Sequence, residues 1–146
     1  MGGLTIPENA RVYVDTAPVI YSIESHPEYS ELLQPLWIKL QANQIAITSS
    51  ELLWLKTLVN PYKNNNQPLI ALYTELLRDS IQLIAINEPI LKLAAQLRAT
   101  TKLKSPDSIH AATALSQECT MFLTNDTGFR NIPRLPVVVL KDALDT

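Results

Sequence analysis

Four carboxylates stand where a hydrolytic site can be assembled from distant parts of the chain: Asp15, Glu51, Asp107 and Asp126. Asp15 ends the β-branched and aromatic run RVYVD, which is short enough for a strand. Glu51 follows Ser49-Ser50, a hydroxyl cap with an acid in the first helical turn. Asp107 follows Ser105-Pro106, the clearest helix start in the chain: cap, proline, acid. Asp126 follows the apolar run TMFLT and Asn125. Singly, each has a commonplace explanation, because Asp after a strand makes turns and an acid in a first turn complements the helix dipole. Together they point to chemistry. Carboxylates a few ångströms apart raise one another's pKa, and a hard divalent cation removes that penalty. Mg²⁺ and Mn²⁺ take oxygen ligands in an octahedron and keep several waters. Phosphodiester hydrolysis is the natural reaction there: one ion activates a water, and a second, where present, stabilises the leaving oxygen.

Such acids act only if the elements bearing them converge. Strands are expected at residues 11–15, 44–48, 81–86, 120–124 and 136–140, between segments of helical spacing. A first helix runs through residues 18–24 and breaks at Ser25-His26-Pro27; residues 29–43 have helical spacing, with Pro35 either kinking that helix or beginning another. A helix from Glu51 to Val59, a loop from Asn60-Pro61 through Asn64-Asn65-Asn66, and a helix over residues 68–78 make a helical hairpin. Asn87 caps a further helix, and the last runs from Ser105 to about Gln117, with Ala111, Ala112 and Ala114 small enough to lie close on a sheet. The alternation predicts a three-layer α/β/α sandwich around a mainly parallel sheet of four to five strands, with right-handed crossovers. The strands are apolar on both faces, as helices on both sides require. In open α/β sheets ligands collect at the C-terminal strand ends. Asp15, Glu51 and Asp126 are expected there, and Asp107 too, since a helix leading into a parallel strand begins near that edge.

Composition narrows the classes. The 146 residues fit a single domain spanning 1–146, and 47% hydrophobic content supports a buried core. Three glycines disfavour a glycine-rich phosphate loop, and Cys119, the only cysteine, excludes a disulfide framework or a thiolate metal site. No apolar run approaches the ~20 residues that span a bilayer. The MGGLTIPENAR start lacks an apolar signal core, and Ile6 stands where a myristoylation signal wants Ser or Thr. A soluble cytoplasmic protein is expected. The net charge of −2 shows no basic surplus for nucleic acid. A local basic rim has to come from Lys56, Lys63, Arg98, Lys102, Lys104, Arg130 and Arg134. His110, three residues after Asp107, is expected to be hydrogen-bonded beside the sheet rather than a proton donor. His26 reads as a turn residue, Cys119 as a small hydrophobe, Glu24 as a solvated helix charge. Trp37, Trp54, Tyr62 and Tyr73 read as core or dimer packing.

The segments VYVDTAPVIY, ITSSELLWL, KSPDSIHAATAL and FLTNDTGF carry a resemblance. The chain resembles the PIN-domain ribonucleases, particularly the VapC-like toxins of bacterial toxin–antitoxin pairs, over nearly its whole length and in the family's order. The resemblance implies a Rossmann-like sandwich with a helical hairpin after strand two. It also implies Mg²⁺- or Mn²⁺-dependent RNA cleavage, homodimers and inhibition by a small antitoxin. Asp15, Glu51, Asp107 and Asp126 would then hold the metals, and Thr124 would orient a water or a carboxylate, with Asn125 a further helper. The chain departs from the pattern at Ala17, where the family often has Asn. Two alternatives stand beside this expectation. A phosphatase with Asp15 as nucleophile would want a second Asp at position 17, where Ala17 fails it. A non-catalytic PIN-like binding module would act through a protein partner.

Overall fold

The computed structural model describes residues 3–144; the Met1-Gly2 start considered above lies outside them. One five-stranded sheet organises the chain: β1 (Arg11–Val14), β2 (Ala46–Ser50), β3 (Gln82–Ile84), β4 (Met121–Thr124) and β5 (Val137–Val139). Their spatial order is β3-β2-β1-β4-β5, and every neighbouring pair is parallel. Parallel neighbours cannot be joined by a tight turn, so the chain crosses a face of the sheet at each connection. These crossovers carry α1 (Thr16–Ile23), α2 (Tyr29–Leu32), α3 (Gln34–Gln41), α4 (Leu52–Lys63), α5 (Gln67–Asp79), α6 (Glu88–Thr100) and α7 (Ser105–Ser116), and α8 (Leu140–Leu144) follows β5. The result is the expected α/β/α sandwich, with α4 and α5 as the hairpin after the second strand.

The strand pleat sorts the interior into two cores. Val12 and Val14 of β1 and Met121 and Leu123 of β4 face one layer, packing with Val19, Leu36, Leu53 and Tyr73. Tyr13 and Phe122 face the other, against Ile90, Ala94 and Leu97 of α6 and Ala111, Ala112 and Ala114 of α7. The rings of Tyr13 and Phe122 stack with centroids 5.1 Å apart, a geometry that adds to simple area burial. The same alternation decides the site. Asp15 continues the face of Tyr13 and Thr124 that of Phe122, so both side chains turn toward α7.

Several boundaries differ from the sequence expectation. Strand two is two residues further on than expected and includes Ser49 and Ser50. Both serines are fully buried; the Ser49 hydroxyl donates to the Val14 carbonyl at 2.5 Å, and Ser50 Oγ accepts from the Leu52 N–H at 3.1 Å. Asn60-Pro61 is helix, not loop, because α4 continues to Lys63. Pro61 lies in the last turn, so the hydrogen bond its missing N–H removes falls near the helix end. The loop is confined to Asn64–Asn66, and Asn66 caps α5 by accepting from the Leu69 N–H at 3.2 Å. Pro35 begins a new helix, and Lys104 rather than Ser105 is the cap residue of α7. Tyr73 is core, and its hydroxyl donates to Glu24, which is therefore not simply a solvated charge. Of the four large aromatics weighed for packing, only Tyr62 is largely exposed.

Candidate active site

The chain leaves β1 for a strand on one side and later returns to β4 on the other side. Beyond the ends of β1 and β4 lies the crevice where doubly wound sheets bind ligands. Asp15 is the N-cap residue of α1 and only 7% exposed. The Thr124 hydroxyl donates to Asp15 Oδ2 at 2.5 Å, and the Thr124 oxygen accepts the Asp126 N–H at 3.0 Å. One side chain thus spaces two of the carboxylates. Asp126 Oδ1 accepts the Gly128 N–H at 2.8 Å and opens a single 3-10 turn, Thr127–Phe129. Asp107 reaches the same place from the first turn of α7. The three carboxylates line one cavity of about 210 Å³.

Burial is the largest influence on Asp15, lifting its pKa from the ordinary 3.8 to about 7. Repulsion from Asp107 and Asp126 adds to the shift, and the Thr124 hydrogen bond opposes it. Asp107 is also raised, by burial first and then by Asp126, while Lys56 and Lys104 oppose the rise. Asp15 Oδ1 is buried without a hydrogen-bond partner in the protein. Leaving such an atom unsatisfied is expensive, and more so for an ionised carboxylate. The donor set consists of oxygens, which suits a hard cation. Among the described residues no group of three or more His, Cys, Asp or Glu stands close enough together to hold a metal ion by protein ligands alone. A cation held there would keep much of its coordination as water, as Mg²⁺ does more readily than a four-coordinate Zn²⁺.

Glu51 takes a different position. It is the N-cap residue of α4, one strand over from Asp15 at the same edge, exposed, and absent from the cavity wall. Asn125 is in the wall but engaged at both ends: its amide donates to the Tyr21 hydroxyl at 3.2 Å and accepts the Lys141 N–H at 2.9 Å. That is bracing between α1 and α8. His110 is buried in the wall, with Nδ1 2.6 Å from the Tyr13 hydroxyl and Nε2 without a partner. Burial, then the charge of Lys56, pushes its pKa down to about 3, so it is neutral at pH 7. Burial pushes the Tyr13 phenol up. The protonated phenol and the neutral ring share one hydrogen bond at Nδ1, whose direction follows the imidazole tautomer. His26 accepts two backbone N–H groups at 3.1 and 3.3 Å and holds its turn. Cys119 is buried packing, its thiol pushed up to about 11 by burial.

Sequence reasoning had Lys56 only as one of seven basic residues. In the fold it is the lysine in the cavity wall. Its signal was its place on α4, three residues after buried Leu53 and one before buried Thr57, on the margin of the inward face.

Comparison with known proteins bears on the family and the fold. A family model described as PIN domain matches residues 12–135. Ribonuclease VapC47 of Mycobacterium tuberculosis is 29% identical over 117 residues, which cover 79% of this chain and 84% of that protein. Among solved structures, VapBC2 from Rickettsia felis, bound to a promoter DNA fragment, superposes with a TM-score of 0.70 at 18% identity, covering 88% of this chain and 98% of that one. A toxin–antitoxin complex from Klebsiella pneumoniae gives 0.64 at 25% identity, covering 88% and 97%. No helix among the described residues is long and apolar enough to cross a membrane.

Proposed function

The chain belongs to the PIN-domain family, and from that membership we propose that it is a metal-dependent endoribonuclease, the toxin of a toxin–antitoxin pair. One observation carries the proposal: Asp15, Asp107 and Asp126, from three separate elements, line one cavity at the switch point of the sheet. Names support it as well, since a similar protein is called a ribonuclease and similar structures are toxin–antitoxin complexes.

Asp15, Asp107 and Asp126 would hold Mg²⁺ or Mn²⁺, with Glu51 as a fourth carboxylate at the rim. The bound ion would supply an acidified water and offset charge on the phosphate. The protein's own groups do the rest. Thr124 holds Asp15 in one orientation through its 2.5 Å hydrogen bond. Neutral His110, held from behind by the Tyr13 hydroxyl, lines the cavity without adding a positive charge that would repel a cation. Hydrolysis of this kind would leave a 5′-phosphate and a 3′-hydroxyl. Leu55, Val59 and Tyr62 recur along α4 and are exposed, which supports contact with a protein, the antitoxin or a second copy of the chain. Light scattering of the purified protein reports pairing. Copurification with a small protein encoded beside it, together with loss of cleavage, reports the antitoxin.

The test is digestion of total RNA with Mn²⁺, repeated with EDTA and with Asp107→Asn. Cleavage is expected only in the first. A non-catalytic binding module is the second reading, favoured by the position of Glu51 outside the cavity. RNA left intact by pure protein in Mn²⁺ would establish it.

A further inference from the structure

We propose that Lys56 and Lys104 form a two-sided cationic lip that takes the phosphates flanking the scissile bond; this rests on the nuclease function proposed above. The starting point is a deficit. Three carboxylates and a net charge of −2 repel a polyanion, and a cation at the centre serves the scissile phosphate alone. The neighbouring phosphates each need their own positive partner, and such contacts position a nucleic acid without reading its sequence.

The fold selects among the seven basic residues, and Lys102, two positions before the cap of α7, is not among the charges that act on Asp107. Arg130 is held by both oxygens of Asp142 at 2.7 and 2.8 Å. Arg98 donates to the Leu103 carbonyl at 3.1 Å and to Ser105 Oγ at 3.0 Å. Arg134 lines a different cavity with Glu118 and Cys119, beside the opposite end of β4. Lys63 ends α4, seven residues past Lys56, about 10 Å along the helix axis. Lys56 lines the carboxylate cavity itself. Lys104 is the cap residue of α7, three before Asp107, and its charge acts on that carboxylate. Both lysines are exposed, and among the described residues neither side chain makes an ion pair within 4.0 Å. They also come from opposite layers. α4 packs Leu53 and Leu58 against the Val12–Val14 face, and α7 packs its alanines against the Tyr13–Phe122 face. A strand laid across the C-terminal edge of the sheet, through the carboxylates, meets one lysine from each side.

The test is the salt dependence of binding, measured by anisotropy with a fluorescein-labelled, mixed-sequence, phosphorothioate single-stranded RNA in Mg²⁺. Each phosphate neutralised contributes about 0.7 to the slope of log K against log salt for a single strand. Lys56→Gln and Lys104→Gln are each expected to reduce the slope by about 0.7, and the double variant by about 1.4. The weakening should be equal for unrelated sequences, and thermal melting unchanged. Lys63→Gln should leave the slope as it was. Unchanged slopes in Lys56→Gln and Lys104→Gln, with the parent binding and cleaving RNA, overturn the lip. So does a change in only one of them, or an equal change in Lys63→Gln. A parent protein that neither binds nor cleaves RNA removes the nuclease function, and the lip with it.

Discussion

Strands β1 and β4 lie side by side for only a few residues, and their two ends differ completely. At the N-terminal end hydrogen bonds tie the strands together: the Arg11 N–H donates to Thr120 Oγ1 at 2.9 Å, the Thr120 N–H returns to the Arg11 carbonyl at 2.9 Å, and the Arg11 guanidinium reaches the Glu118 carbonyl at 2.5 Å. At the C-terminal end, Asp15 Oδ1 and His110 Nε2 are buried without partners, and acids crowd one cavity. Helix polarity accounts for the division. α7 ends at Ser116, and the Arg11 guanidinium bonds the Glu118 carbonyl two residues beyond, so a cation stands near the negative end of a helix. α1 and α7 begin beside Asp15 and Asp107, where a positive end favours anions. A parallel sheet thus separates a satisfied end, which stabilises, from an unsatisfied one, which is free to bind.

The sharpest way to break this contrast is to remove a charge from the unsatisfied end. Asp15→Asn or Asp107→Asn should lower RNA cleavage in Mn²⁺ by roughly a thousandfold, the upper scale for loss of one electrostatic group in a site. Circular dichroism should remain native. Full cleavage by Asp107→Asn would contradict the site.

Next in size is a pH effect. An acid with a native pKa of about 7 against 3.8 unfolded holds its proton in the folded state while the unfolded chain has lost it. The native state therefore binds more protons between these values, and stability falls as pH rises through that window. The metal-free protein should lose up to ~4 kcal/mol between about pH 4 and pH 7.5, at 1.36 kcal/mol per pKa unit. Asp15→Asn should flatten the dependence and match or exceed the parent's stability at pH 8. Urea midpoints at pH 5 and pH 8, with EDTA present, measure both, and a parent more stable at pH 8 would contradict the assignment.

Thr124→Val keeps every charge but removes the hydroxyl shared by Asp15 and Asp126. Loss of a group that orients a metal ligand typically lowers affinity or activity ~10–100-fold. Titration with Mn²⁺ and initial rates should show that loss, and parent-like values would make Thr124 mere packing. The smallest effect belongs to the satisfied end. Arg11→Ala should cost about 1 kcal/mol of stability through the lost hydrogen bond and leave cleavage within twofold. A large loss of activity there would mean that the two ends are coupled.

The element order was legible from residue patterns, because burial on two faces imposes periodicities that local sequence records. Boundaries failed where a distant atom decided. Ser49 looks like a helix cap, yet the Val14 carbonyl, 35 positions away, draws its hydroxyl into the sheet. Pro61 looks like a breaker, yet it lies inside α4, with the helix running on to Lys63. Of the predicted acids, Asp15, Asp107 and Asp126 share a cavity while Glu51 stays outside it. Nothing local separates them, since all four follow or open an element.

Residue types and strand parity, by themselves, determined that this chain makes a parallel α/β sheet and brings carboxylates to one edge of it. Which of them meet, which lysine joins the wall, and which buried atoms are left unpaired were decided by packing. Distances between elements depend on how two whole layers seat against the sheet, and no short stretch of sequence carries that information.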